Sequence, residues 1–236
     1  MPGTVAGPCA LNQRGDSLFE LESDHLSTAI SAGHGLETAL QGVDVTIDVT
    51  SIATTGAKKS VNFFGASTTN LLRAGETAGV GHHIALSIVG ADRVDSGYYC
   101  GKLHQEQLIR SGNLPWTILR AKQFHEFADQ ILARVPGPIA LVPRMRTQPI
   151  AVQEVADHLR QIAAGPALKI APELAGPKEE SLLDMARRVV RTRGKHRLVV
   201  PLQLPGLKAM RTGALLPDGP RPRGQQTFGQ CLAELD

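Results

Sequence analysis

From residue 36 onward, apolar positions recur with the periods that helices and strands impose. Leu36 to Leu40 reads as the end of a helix, with Gly42 placed to cap it. Val43-Asp44-Val45-Thr46-Ile47-Asp48-Val49 is rich in β-branched residues and predicts a strand ending at Thr50-Ser51. Val61, Phe64, Leu71, Ala74 and Ala78 then fall at helical spacings, and Gly79 closes that helix. His83 to Gly90 is nearly all apolar, as suits a strand buried on both faces of a parallel sheet. A helix over about Tyr99 to Ser111 follows, with Tyr98 at its opening, then a third strand over Trp116–Arg120. Three strand-then-helix units in succession predict an α/β fold: a Rossmann-like parallel sheet with helices on both faces and right-handed crossovers.

The rhythm loosens after residue 135. Val152, Val155, Ala156, Leu159 and Ile162 predict one amphipathic helix, and Leu182, Leu183, Ala186, Val189 and Val190 another. Residues 197–223 hold several prolines and no period, and Leu232 and Leu235 mark a short terminal helix. The first 28 residues carry Pro, Gly, Asn and Asp and read as loop, with Phe19 and Leu21 hinting at a short strand. The expected organisation is an atypical segment over residues 1–34, a partial nucleotide-binding core over 35–135, and a small substrate-covering lobe over 136–236, interleaved with the core.

At 236 residues and 42% apolar content the chain can bury a large core. A formal charge of +3 is too small and scattered to point to nucleic acid. Cys9, Cys100 and Cys231 form neither a metal spacing nor an even disulfide framework, which predicts a reduced, cytoplasmic setting. There is no run of eighteen apolar residues, so no membrane partner is expected. Oligomeric state leaves no mark on the sequence.

Candidate chemistry gathers at three residues. Ser87 lies near the end of the second strand, Tyr98 opens the next helix, and Lys102 follows one turn on, on the same helix face. A free phenol titrates near pH 10 and is a poor base at neutrality, but an ammonium nearby favours the phenolate. A serine hydroxyl opposite can orient a carbonyl for proton transfer. The set suits carbonyl reduction or alcohol oxidation, with hydride from a nicotinamide. The bland alternative is a solvated helix face. His82 and His83 point to opposite faces of a strand and read as partly solvated strand-start residues, not metal ligands. The basic run Arg187, Arg188, Arg191, Arg193, Lys195, Arg197 reads as a solvated helix face, Trp116 as core, and Phe63 and Phe64 as helix-to-sheet packing.

The segments Val43–Ser51, Asn62–Leu72, Gly81–Gly90, Ser96–Tyr99, Pro115–Ala121 and Gln148–Val152, in this order, resemble the atypical short-chain dehydrogenase/reductases of the NmrA-like, NAD(P)-binding subgroup. The resemblance implies NAD or NADP as cofactor and a small carbonyl or hydroxyl compound as substrate. It implies that Thr50 and Ser51 lie near the adenosine half, and that Ser87, Tyr98 and Lys102 form the catalytic set. Tyr98 and Lys102 would also contact the cofactor, Lys102 at its ribose. Ala121, Lys122 and Gln123 would follow the strand beside the nicotinamide, and Phe124 and Phe127 would shape the substrate pocket. Some members of the group are non-catalytic NAD(P) sensors or protein-interaction modules, which is the alternative expectation.

That family opens with a strand, a Gly-x-x-Gly-x-x-Gly turn and a helix, whose backbone N–H groups cradle the pyrophosphate. Gly3, Gly7 and Gly15 do not have that spacing, and no apolar strand precedes them. Cofactor binding is therefore expected to be weak or lost, and the chain could be an inactive fragment. Val43–Val49 is expected to present an exposed apolar edge that Ser17–Ser23 is too polar to cover well. A mis-assigned or frameshifted start is the reading we favour, and glycine-turn coding upstream in one of three frames would bear it out.

Overall fold

The structure, a computed structural model, describes residues 9–11, 17–18, 30–94, 97–194, 196–202, 208–216 and 222–234. Gly3, Gly7, Gly15, Phe19, Leu21, Ser96, Lys195 and Leu235, invoked above, lie outside the described residues. The chain divides into two compact units, one of residues 1–87, 95–119 and 158–171, the other of residues 88–94, 120–157 and 172–236.

The first unit is built on a sheet of six strands: β1 (Cys9–Leu11), β2 (Ser17–Leu18), β3 (Val45–Asp48), β4 (His82–Ile88), β5 (Trp116–Ala121) and β8 (Lys169–Ile170). Their order across the sheet is β2-β1-β3-β4-β5-β8. β3 runs parallel to β4, from Val45 opposite His82 to Asp48 opposite Ala85, and β5 runs parallel to β8. This is the predicted Rossmann-like α/β arrangement. The helix Ala57–Ala78 ends where the pattern places it, on Gly79, whose φ of 76° is the left-handed cap glycine favours. Phe64, Leu71 and Ala74 are buried along it. The helix Tyr98–Ser111 lies so close to it that a Cβ on Gly101 would sit 2.1 Å from Ser60 Oγ and 2.7 Å from a Phe64 ring carbon. Leu72, Val80, Ala85, Ile109, Leu114 and Ile118 form an apolar core beneath, with Trp116 packed against it as predicted.

Three expectations are corrected in this unit. The apolar edge of β3 is not exposed: β1 pairs with it antiparallel, Cys9 to Ile47 through Leu11 to Val45, and Ser17–Leu18 pairs with β1 instead of with β3. His82 and His83 are not solvated. They are 5% and 0% exposed, and each shares a hydrogen bond with a threonine on a neighbouring strand, His82 Nε2 with Thr117 at 2.8 Å and His83 Nδ1 with Thr46 at 2.9 Å. Burial lowers the pKa of both imidazoles. Gly42 does not cap the helix expected to end at Leu40: that helix spans Leu36–Ala39 with Leu40 as its cap, and Gly42, at φ 72°, turns the chain toward β3.

The second unit holds two small sheets. β6 (Ile139–Pro143) pairs parallel with β10 (Leu198–Leu202), and β7 (Arg146–Thr147) pairs antiparallel with β9 (Glu180–Ser181). β10 falls within the stretch read as aperiodic. The predicted amphipathic helix spans Leu182–Thr192 and buries Leu182, Leu183, Met185, Ala186, Val189 and Val190. Arg188, on the face read as solvated, is 32% exposed; it lies over the Phe228 ring at 4.7 Å and pairs with Glu180. Among the described residues, no helix is long and apolar enough to cross a membrane.

Candidate active site

β3 delivers Asp48 into the interior of the first unit, and the chain then turns out through Thr50 to the exposed Ser51. Asp48 is 1% exposed. Its Oδ1 accepts from the Thr50 N–H at 2.9 Å and the Thr50 hydroxyl at 2.7 Å, so one carboxylate oxygen fixes the turn. The turn brings Ser51 to the start of the helix Tyr98–Ser111, where the hydroxyls of Ser51 and Tyr98 share a hydrogen bond of 3.0 Å. Gly97, at φ 56°, makes that approach possible, because a Cβ there would lie 2.6 Å from the Thr55 carbonyl oxygen.

Lys102 lies one turn beyond Tyr98 and is buried. Its ammonium donates to the Thr50 carbonyl at 3.3 Å, the Leu86 carbonyl at 2.9 Å and Gln105 Oε1 at 2.8 Å. Three protons meet three acceptors. The ammonium also stands 4.4 Å from the centre of the Phe64 ring, and the same ring meets Tyr98 edge-on at 5.4 Å. Phe64 is therefore part of the site's architecture as well as packing. Burial pushes the Lys102 pKa down from 10.5 to about 8, against the upward pull of Asp48 and Glu106.

Ser87 is buried on β4, and its hydroxyl donates to Glu106 Oε1 at 2.7 Å. Glu106 Oε2 accepts from Arg110 at 3.0 Å. The structure thus brings Thr50, Ser51, Tyr98 and Lys102 into one hydrogen-bonded neighbourhood, and directs the Ser87 hydroxyl onto Glu106. Asp48, Gln105 and Glu106, which hold this neighbourhood together, were not singled out from the sequence. Beside Ser51, a cavity of about 800 Å³ is lined by Ile52, Gly56, Lys58, Lys59, Asn62 and Phe63, among others. The first turn of the helix Ala57–Ala78 carries these two lysines and no acidic residue.

Ala121, the last residue of β5, and the remaining predicted residues fall in the stretch 120–157 of the second unit. Ala121 is bridged to Leu174, and the Lys122 N–H donates to the Leu174 carbonyl at 3.0 Å. The Lys122 ammonium is buried against the Leu215 carbonyl, and burial together with Arg93 lowers its pKa to about 7. Gln123 Oε1 accepts from the Thr147 hydroxyl at 2.8 Å. Phe124 is bridged to Ile150 and accepts at its carbonyl from the Phe127 N–H, which opens the helix Phe127–Arg134. Among the described residues no cluster of three or more His, Cys, Asp or Glu is arranged to hold a metal ion.

β3, parallel to β4, ends in a turn that faces a helix carrying Tyr98 and Lys102, an arrangement of the nucleotide-binding α/β kind. Residues 27–166, more than half of the chain, match the protein family described as NAD(P)H-binding, and the chain belongs to that family. Among solved structures, it is similar to an NADPH-dependent quinone oxidoreductase of Escherichia coli, determined with NADPH, at 18% identity and a TM-score of 0.63 over 87% of this chain and 81% of that one. A triphenylmethane reductase of Citrobacter sp., determined with NADP(H), is similar at 14% identity and a TM-score of 0.62, over 87% and 81% of the two chains. A nucleoside-diphosphate-sugar epimerase of Staphylococcus aureus is similar at 15% identity and a TM-score of 0.62, over 86% and 81%. At these identities the likeness is one of fold. No curated protein sequence matches the chain.

Proposed function

We propose that this protein is an NAD(P)H-dependent oxidoreductase of the atypical short-chain type that reduces a small carbonyl compound or oxidises the corresponding alcohol. The observation that carries the reading is the Tyr98 hydroxyl: half-buried, hydrogen-bonded to the exposed Ser51, and sharing the Phe64 ring with a buried ammonium. Bound NAD(P)H supplies the hydride that adds to the carbonyl carbon. The Tyr98 phenol gives its proton to the carbonyl oxygen, and Ser51 stands where it can return a proton from solvent. Lys102 favours the phenolate left behind. The cavity beside Ser51 has the size of a small-molecule site, and Lys58, Lys59 and the uncapped helix start there suit the cofactor's phosphates. A reducing, cytoplasmic setting goes with this reading.

The test has two stages. NADPH and NADH are titrated by fluorescence, and turnover is then measured over a panel of quinones, aldehydes and sugars. Tyr98→Phe is expected to lower turnover by about 10²-fold or more with cofactor affinity unchanged. Unchanged turnover in this variant would falsify the acid/base role of Tyr98. A second reading, a non-catalytic NAD(P) sensor or interaction module, is favoured by one observation. All three Lys102 protons and the Ser87 hydroxyl already have protein acceptors. Cofactor binding without turnover across the panel selects that reading.

A further inference from the structure

Gln105 and Asp48 are buried side by side and join Lys102 in a single chain of hydrogen bonds. Lys102 Nζ donates to Gln105 Oε1, and Gln105 Nε2 donates to Asp48 Oδ2 at 2.8 Å. The two ends fix the amide's orientation, because its oxygen can face only the ammonium and its NH₂ only the carboxylate. The other oxygen of Asp48 holds Thr50, and through it the Ser51 turn that meets Tyr98. One carboxylate therefore governs both the cation and the hydroxyl partner of the tyrosine. We propose that Asp48 and Gln105 are positioning residues for the Tyr98 site, Asp48 supplying the counter-charge of Lys102 through the Gln105 amide while anchoring the Thr50–Ser51 turn. This rests on the oxidoreductase reading above.

The surroundings assign the role to Asp48 and not to another group. From its own helix, Lys102 is faced by Glu106 and Tyr98. Glu106 is already tied to Ser87 and to the Arg110 guanidinium. From β4 come the Leu86 carbonyl and Ser87, and from the helix Ala57–Ala78 the Phe64 ring. His83, also on β4, lies near enough to feel Asp48, but burial keeps its imidazole neutral. Of the two carboxylates that raise the Lys102 pKa, Asp48 acts more strongly and is the one reached through the Gln105 amide, whereas Glu106 is shared with Ser87 and Arg110.

The polarity of the chain supplies the test. Asp48→Asn places an NH₂ against the Gln105 NH₂, and either amide can turn only by offering a donor to another donor. Gln105→Leu removes the bridge and leaves Asp48 and Thr50 in place. The double variant Asp48→Asn/Gln105→Glu moves the carboxylate one link along the same chain. There Lys102 and the new amide at position 48 would both donate to the new carboxylate at position 105, while the oxygen of that amide still accepts from Thr50. The readout is the titration of the Lys102 ¹³Cε resonance in lysine-labelled protein, assigned by its loss in Lys102→Met and followed alongside the pH profile of turnover. Either single variant is expected to lower the Lys102 titration by about 1 to 3 pH units, and the double to restore it. The alkaline limb of turnover should move with it, through kcat and not KM. A Lys102 titration unmoved in both folded single variants, or not restored in the double, overturns the proposal. So does a restored titration without a restored limb. Absence of turnover in wild type together with the expected titration series instead fails the oxidoreductase reading and leaves the charge relay standing.

Discussion

Two lysines of this protein are buried to nearly the same degree and differ in what surrounds them. Lys102, in the first unit, has three hydrogen-bond acceptors and two carboxylates within electrostatic reach. Lys122, in the second, rests on one main-chain carbonyl with the Arg93 guanidinium as its charged neighbour. Burial pulls both well below the ordinary lysine range, to about 8 and about 7. The difference decides chemistry. Lys102, with two carboxylates in reach, keeps the higher pKa of the two, and Lys122, with a guanidinium beside it, the lower. A buried ammonium stays charged when the sequence provides a nearby carboxylate and a route to it.

Replacing each lysine by methionine tests this comparison most strongly. Lys102→Met leaves the Asp48 charge, the Gln105 amide and two carbonyls without their donor, and is expected to cost about 3 to 5 kcal/mol. Lys122→Met frees one carbonyl and removes a poorly solvated charge, so its stability should lie within about 1 kcal/mol of wild type. Urea unfolding at pH 6, where both lysines are protonated, measures the two side by side. Equal losses would mean that the carboxylates around Lys102 do not distinguish the sites.

A smaller effect is expected from the close approach of the two helices that hold Lys102. Gly101→Ala drives a methyl group into Ser60 and Phe64, and the helices must part to admit it. Overpacking of this kind costs about 1 to 3 kcal/mol. Because Phe64 also covers the ammonium, the Lys102 titration should move up toward its ordinary range as water gains access. A loss of stability with no movement of that titration would detach the helix packing from the charge network.

Much of the framework was legible because it follows from short-range patterns. Gly79 marks its helix end through its left-handed backbone, and the apolar run of β4 marks a strand of a parallel sheet. Tyr98 and Lys102 share a helix face by spacing alone. The rest depends on pairings that spacing does not encode. Gln105 meets Asp48 across 57 residues, and an aspartate in a β-branched strand looks like any alternating polar position. The one available signal was that a strand covered on both faces cannot leave Thr46 and Asp48 in water. Both are in fact buried and bonded. The burial of the histidines is hidden from spacing for the same reason, since His82 and His83 find threonines on neighbouring strands. β10 carries no clear strand signal because Pro201 interrupts its apolar run. The two-stranded sheet it forms with β6 tolerates proline as an interior strand of a larger sheet does not.

The finest separation of the two lysines is expected in how stability changes with pH. Each has a folded pKa below its unfolded value of 10.5. Below the folded pKa both states hold the proton, and the cost of burying the charge is fully present. Above it the folded protein sheds a proton that the unfolded chain keeps, so stability rises with pH until about 10.5, by at most about 1.4 kcal/mol per pH unit for each lysine. His82, His83 and His125, whose pKa values burial lowers, make their own rise below about 6.5 and are silent above it. Cys231, whose pKa burial raises, opposes the rise only near and above 9. The interval from about pH 7 to 8 therefore belongs chiefly to Lys122, and the steeper rise beyond 8 to both. Wild type should gain up to about 1 kcal/mol between pH 7 and 8, and Lys122→Met should stay nearly flat there before rising with Lys102. Parallel profiles for the two proteins across that interval would show that Lys122 keeps its proton as firmly as Lys102, and that carboxylates are not what separates them.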